Sequence, residues 1–395
     1  MNKLPSATFS FPNTYHLGSG NIQLLAQVCK ELKVQNPMIV SDPGIVGLSW
    51  FTHFCSQLKK NNLAAEVFSD ISPNPTDIDV RLGTEVFRKG RHDGCILLGG
   101  GSPMDAGKCI ALMAHQTGAL FDYEDIGDNW KRIDDSKLAP TIAIPTTAGT
   151  GSEVGRAGVI IDTASQRKKI IFHPKMIPTV VIADPELTYE LPAHLTAATG
   201  MDAFVHSFEA YCSPNYHPYA DGIALEGMRL VKENLINATK NGYDAFARTQ
   251  MLVAASMGAI AFQKGLGVVH AMAHPLGAHF KVHHGLANAI LLPYCLIYNR
   301  QAIESQMERL ARHLQLPTPG FIGIKNWILQ FRRELEIPHS LNQLPSVSLD
   351  SIKELAPEAM IDPALATNPR PSSIPDLEAL FLAAFHGDLD AVPSR

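Results

Sequence analysis

Two short stretches hold side chains whose types and spacing can do metal chemistry. Residues 200–209 (GMDAFVHSFE) set Asp202 and His206 four positions apart, on one face of a helix. Residues 267–285 (GVVHAMAHPLGAHFKVHHG) pack His270, His274, His279, His283 and His284 into fifteen positions. One carboxylate with several imidazoles and no thiolate nearby is what a catalytic divalent cation needs if it must keep a position open for substrate. A lone buried histidine is more often a satisfied core residue than a ligand. Asp202, on an otherwise apolar helix, shifts that balance, because an unpaired buried carboxylate is expensive. Spacing alone does not choose four ligands from six or seven candidates.

A second kind of chemistry is suggested by two glycine-rich loops. Gly99, Gly100 and Gly101, then Ser102 and Pro103, follow an apolar run and open a helix. Glycines let backbone approach a pyrophosphate closely. Ser102 suits an N-cap and Pro103 the first turn, and a helix start attracts anions. The pattern is neither GxGxxG nor a Walker loop. The second loop, 145–153 (PTTAGTGSE), carries Thr146, Thr147, Thr150 and Ser152 after another apolar run, where open α/β sheets bind ligands. Asp42 ends the run 37–41; a carboxylate there accepts hydrogen bonds from ribose hydroxyls and repels a 2′-phosphate, which favours NAD over NADP. The plainer reading of Asp42 is a turn residue before Pro43.

Both sets of residues need elements to position them. Short apolar runs at 37–41, 64–68, 94–98, 141–144 and 180–183 read as strands, with helical stretches at 21–31, 78–88 and 103–115. Continuous apolar strands alternating with helices indicate a parallel sheet covered on both faces. From residue 196 onward the periodicity is helical: 197–211, 219–235, 245–263, 268–280, 285–298, 302–314, 320–335, 348–355 and 374–385. The expected organisation is an α/β domain over 1–185 and an all-helical domain over 186–395.

Composition narrows the class. The chain has 395 residues, 46% hydrophobic and 18% charged, with a formal net charge of −5 and no basic run. That fits a well-buried enzyme of two domains and argues against nucleic acid as a partner. Six scattered cysteines without a CxxC pair fit a reducing compartment. Residues 1–16 lack the apolar core of a signal peptide. The apolar run 286–298 is broken by Asn288 and Pro293 and is too short for a membrane span. The expectation is a cytoplasmic enzyme.

The order of these motifs resembles the iron-containing (group III) alcohol dehydrogenases. The resemblance is carried by GGGSPMDAGK at 99–108, PTTAGTGSE at 145–153, DPELTYELPAHLTAATGMDAFVHSFEAY at 184–211, and GLGVVHAMAHPLGAHF…HHGLANAILLP ending at Pro293. It implies a Rossmann-like N-terminal domain with a parallel sheet and an all-α C-terminal domain, an architecture shared with dehydroquinate synthase, with the active site in the cleft. The implied metal ligands are Asp202, His206, His270 and His284, holding Fe2+, with Zn2+ an alternative. His274 then lines the pocket beside nicotinamide or substrate and relays a proton, so the catalytic set is His274, Asp202 and His270. His279 and His283 are left with structural or supporting roles. The implied cofactor residues are Asp42, Asn74, Gly100, Gly101, Ser102, Asp105, Thr146, Thr147, Thr150 and Lys168, the last toward a nicotinamide ribose or else part of a solvated basic run. The implied partner is a small alcohol, diol or aldehyde, and the implied assembly a homodimer or larger homo-oligomer.

One departure bears on substrate specificity. Many of the family read F-x-N-x-G-L-G before the first histidine of this segment. This chain reads FQKGLG at 262–267, one residue shorter and without the asparagine. Rival readings on the same fold are a glycerol dehydrogenase, which resembles a three-ligand site, a dehydroquinate synthase, which wants a basic pocket, and a silent nucleotide- or metal-binding relative.

Overall fold

The computed structural model describes residues 13–63, 65–352 and 354–393. The chain divides into two compact units. One runs up to Leu191 and adds Tyr243–Leu252; the other comprises Pro192–Gly242 and the chain from Val253 onward. The division along the chain thus falls after Leu191 rather than after residue 185, and the first part of a later helix groups with the earlier unit.

The first unit is built on a parallel sheet. Its strands are β1 (Thr14–Leu17), β2 (Pro37–Val40), β3 (Glu66–Phe68), β4 (Gly94–Gly99), β5 (Thr141–Pro145) and, after a separate hairpin of β6 (Ala157–Asp162) and β7 (Arg167–Phe172), β8 (Val180–Ala183). The order across the sheet is β1-β8-β5-β4-β2-β3. The helices between them are α1 (Leu25–Glu31), α2 (Pro43–Val46), α3 (Phe51–Lys60), α4 (Asp77–Gly90) and α5 (Gly101–Met113).

Every residue of β2, β4, β5 and β8 is buried, as a sheet covered on both faces requires. Ile39, Ile96, Leu98, Ile142, Ile144 and Ile182 share one core with Leu25 and Val28 of α1 and Phe51, Phe54 and Leu58 of α3. Val40 and Leu97, one position out of phase, turn to the opposite face and meet Gly107 of α5. The sequence order reverses between β2 and β4, so the loops after these two strands lie at the switch point where such sheets receive ligands.

The five expected strands are present, although the one expected over 64–68 is described only as Glu66–Phe68, and Ala64 lies outside the described residues. In this unit β1, α2, α3 and both strands of the β6–β7 hairpin escaped the sequence pattern. β1 and α2 are four residues each and carry no full period. α3 follows β2 so closely that the segment read as connection. The β6–β7 hairpin is antiparallel, pairing Asp162 with Arg167 across a turn. Residues 167–169, one alternative for which was a solvated basic run, therefore begin a strand. The N-terminal reading over 1–16 falls largely outside the described residues.

The second unit is helical, with no strand among its described residues. Its helices are α6 (Ala193–Cys212), α7 (Pro218–Lys240), α8 (Ala245–Ala261, whose first half groups with the other unit), α9 (Val268–Phe280), α10 (His284–Tyr298), α11 (Arg300–His313), α12 (Gly320–Glu334), α13 (Leu349–Ile352), α14 (Ala356–Met360) and α15 (Ile374–His386). The helix expected over 348–355 is shorter, and Lys353 lies outside the described residues. Every residue of α6 from Thr196 to Cys212 is buried, the state expected of a helix apolar on all sides. Among the described residues one helix, Ala245–Lys264, is long and apolar enough to cross a membrane, and 56% of that window is buried inside the protein.

Candidate metal and nucleotide sites

Asp202 and His206 lie one turn apart on α6, His270 in the first turn of α9, and His284 at the start of α10. These helices bring the four side chains together: one ligand atom from each lies within 4.8 Å of the others. Asp202 Oδ1 is 3.9 Å from His206 Nε2 and 3.7 Å from His284 Nε2. Asp202 is 3% exposed, His206 4% and His270 1%. A buried carboxylate with three imidazoles and no thiolate is a hard, nitrogen–oxygen donor set that suits Fe2+ or Zn2+.

Close helix packing makes this convergence possible. A Cβ on Gly285 would stand 2.4 Å from the backbone oxygen of Ala198 and 3.1 Å from Asp202 Cβ. Only glycine lets α10 approach α6 so nearly at the residue after His284.

Three residues that the sequence reading did not assign to the site bond its side chains. Glu209 accepts a 2.6 Å hydrogen bond from His270 Nδ1 and a 2.7 Å bond from the backbone N–H of Val269. The same carboxylate thus caps α9 and leaves His270 Nε2 as a bare lone pair facing the cluster, the arrangement found behind metal-bound histidines. Burial lowers the His270 imidazole, but the hydrogen bond and charge of Glu209 outweigh it and raise it overall. Asp362 accepts a 2.8 Å bond from His274 Nδ1. Burial pushes the Asp362 carboxyl up, yet the charge and hydrogen bond of His274, with the N–H of Ala364, hold it below its usual range. Asn288, one turn beyond His284, donates to Asp202 Oδ1 at 2.7 Å. A signal for two of them was present: Glu209 and Asn288 are polar residues on apolar helices, three and four positions from a histidine.

His274 is not in the converging set; its ring stacks on that of His284 with centroids 5.4 Å apart. His279 is on the surface and pairs with Glu358, and His283 is the N-cap residue of α10. Phe262, despite the shortened segment, packs 5.2 Å from the His206 ring. The turn Phe262–Lys264 is anchored by Lys264, 5% exposed, which donates to the carbonyl of Tyr211 at 3.2 Å and to Asp221 at 2.5 Å. Tyr211 and Tyr216 border a 380 Å³ cavity whose other walls include Asp221, Lys264 and Arg309.

The loops of the first unit meet at the ends of β2, β4 and β5. A Cβ on Gly101 would lie 2.7 Å from Thr150 Oγ1, and one on Gly100 would lie 3.2 Å from the Thr147 side chain. The glycine turn is thus in contact with the hydroxyl loop. The helix N-cap is Gly100, without a side-chain cap. Ser102 is therefore not the N-cap expected of it: its hydroxyl donates to the carbonyl of Pro73 at 2.6 Å, tying α5 to the segment that carries Asn74. An uncapped N-terminus opening from glycines suits a phosphate group. Asp42 caps α2 through its Oδ1, the turn role weighed for it, and its Oδ2 borders Gly99. Thr146 is buried and its hydroxyl has no partner among the described residues.

Asp105 is differently placed. Its carboxylate accepts from Ser152 Oγ at 2.5 Å and Val159 N at 3.0 Å and pairs with the buried Lys108 at 3.2 Å. It organises the second loop. Lys168 lies in β7 opposite Ile161.

Residues 12–185 match the family described as iron-containing alcohol dehydrogenase, and residues 196–385 the C-terminal family of the Fe-containing alcohol dehydrogenases. The chain is similar to the 4-hydroxybutyrate dehydrogenase of Cupriavidus necator, 37% identical over 371 residues covering 91% of this chain and 95% of the relative. It is similar to the NAD-dependent methanol dehydrogenase of Bacillus methanolicus, 31% identical over 379 residues covering 93% and 97%. Among solved structures it is similar to a 1,3-propanediol oxidoreductase, with a TM-score of 0.89, 32% identity, and coverage of 96% of this chain and 100% of that one.

Proposed function

The chain belongs to the iron-containing alcohol dehydrogenase family, and from that premise we propose that it catalyses reversible hydride transfer between a primary alcohol or diol and NAD, using Fe2+ at Asp202, His206, His270 and His284. The observation that carries the proposal is the convergence of these four donor groups within 4.8 Å. A divalent cation held there supplies Lewis acidity, and a bound nicotinamide supplies the hydride acceptor. Substrates named for the relatives, a hydroxy acid, methanol and a diol, are all primary alcohols.

The chain's own residues do the rest. Glu209 fixes the orientation and tautomer of His270. His274, with Nδ1 committed to Asp362, has only Nε2 to take up or return the hydroxyl proton; its side chain is 20% exposed, which leaves that proton a way to solvent. Gly100, Gly101, Thr146, Thr147 and Thr150 receive the pyrophosphate, with Ser102 and Asn74 bordering it, and Lys168 reaches a ribose hydroxyl. Asp42, beside the glycine turn, selects against a 2′-phosphate. Asp105 serves the cofactor by holding the hydroxyl loop. The working form is a cytoplasmic homodimer or larger homo-oligomer.

The test is to strip the protein with a chelator under anaerobic conditions and follow nicotinamide absorbance with a panel of primary alcohols and diols. Stripped protein is expected to lose activity by at least ~100-fold and to regain it with Fe2+. Full activity without added metal overturns the proposal.

A further inference from the structure

Asn288 sits directly against the converging donor atoms and is fully buried on α10. Its Nδ2 lies 2.7 Å from Asp202 Oδ1 and 3.2 Å from both His270 Nε2 and His284 Nε2. Its Oδ1 is buried and has no hydrogen-bond partner among the described residues. The amide cannot be turned round, since that would set an oxygen 2.7 Å from a carboxylate oxygen. Two N–H groups therefore face a carboxylate oxygen and two imidazole nitrogens, while the buried carbonyl oxygen has no partner among the described residues. An unsatisfied buried oxygen is destabilising, and leucine has nearly the same shape without it. Packing does not explain an amide at this position.

We propose that Asn288 is a positioning residue of the cation site. By donating to Asp202 Oδ1 it fixes the rotation of that carboxylate, so that the oxygen nearest the imidazole nitrogens stays there. The bond to Asp202 is the shortest of the three and the one the amide keeps when the imidazole lone pairs turn to a cation. This role rests on the reading that the four groups hold a divalent ion.

The experiment titrates metal-free wild type and Asn288→Leu with Co2+ against a competing chelator, following the visible absorption bands of the bound ion. Wild type is expected to bind and to show those bands. The leucine variant is expected to keep its far-ultraviolet circular dichroism, bind about ten- to hundredfold more weakly, and show altered bands because the carboxylate is free to rotate. Asn288→Ser, which restores a donor on a smaller side chain, is expected to fall between the two and covers the case in which leucine does not fold. A leucine variant with wild-type affinity and wild-type bands overturns the role of Asn288 alone. Wild type that binds no Co2+ overturns this role together with the cation reading beneath it.

Discussion

At the scale of single residues, the candidate metal centre is defined as much by the groups behind the ligands as by the ligands. Glu209 does two things with one carboxylate: it caps two backbone N–H groups at the start of α9 and fixes the His270 tautomer. Glutamine at this position keeps an oxygen for the helix cap but turns an N–H toward His270 Nδ1. The imidazole must then move its proton to Nε2, where it opposes a cation. Glu209→Gln is expected to retain the fold and to weaken metal binding by about tenfold or more, measured by chelator competition. Affinity equal to wild type would show that the Glu209–His270 bond does not control the ligand atom.

At the scale of elements, the site depends on how closely three helices cross. α6 supplies two ligands one turn apart, and α9 and α10 supply one each, so the distance between α6 and α10 sets whether the cluster can close. That distance is set at Gly285 against the backbone of Ala198. Backbone cannot yield as a flexible side chain does. Gly285→Ala is therefore expected to lose about 2 kcal/mol of stability in urea denaturation and to bind metal more weakly, because His284 is carried away with its helix. Unchanged stability would mean that the helices separate without cost. α9 is held from the other side as well: Asn368 accepts from the Val268 N–H, and Asp362, six residues earlier, holds His274. The short connection Pro363–Thr367 thus fixes both the start of α9 and the ring that faces His284.

At the scale of the whole molecule, one buried group makes stability depend on pH. Glu153, at the end of the hydroxyl loop, is 2% exposed and its Oε1 has no partner among the described residues. Burial pushes its carboxyl up to about 7, against smaller lowering effects from a backbone hydrogen bond and Lys108. The folded chain therefore keeps a proton that the unfolded chain releases near 4.5. Between these values the folded state binds more protons, so stability falls as pH rises from about 4.5 to about 7 and remains lower above that. Glu153→Gln stays neutral throughout. It is expected to be more stable than wild type at pH 8, by on the order of 1–3 kcal/mol, with the advantage gone at pH 4. Denaturant unfolding at both values checks this; the same difference at each would assign the effect to packing instead.

Much of this molecule is written in local pattern. The apolar strands at 94–99 and 141–145, the helix over 268–280 and the Asp202–His206 spacing are legible because side-chain direction repeats every two residues in a strand and every 3.6 in a helix. Elements too short to show a period, such as β1 and α2, were not. Which histidines converge was beyond spacing, because His270 and Asp202 are separated by 68 positions and meet only where α9 and α10 cross α6. The same holds for Glu209, Asn288 and Asp362, each an ordinary polar residue until a neighbouring helix brings an imidazole or a carboxylate against it, and for Asp105, whose carboxylate is taken up by Ser152 and Lys108. Local periodicity determined the kinds of element and the chemical types available. The lateral packing of those elements, a product of non-local contacts that no short window of sequence contains, decided which groups face one another.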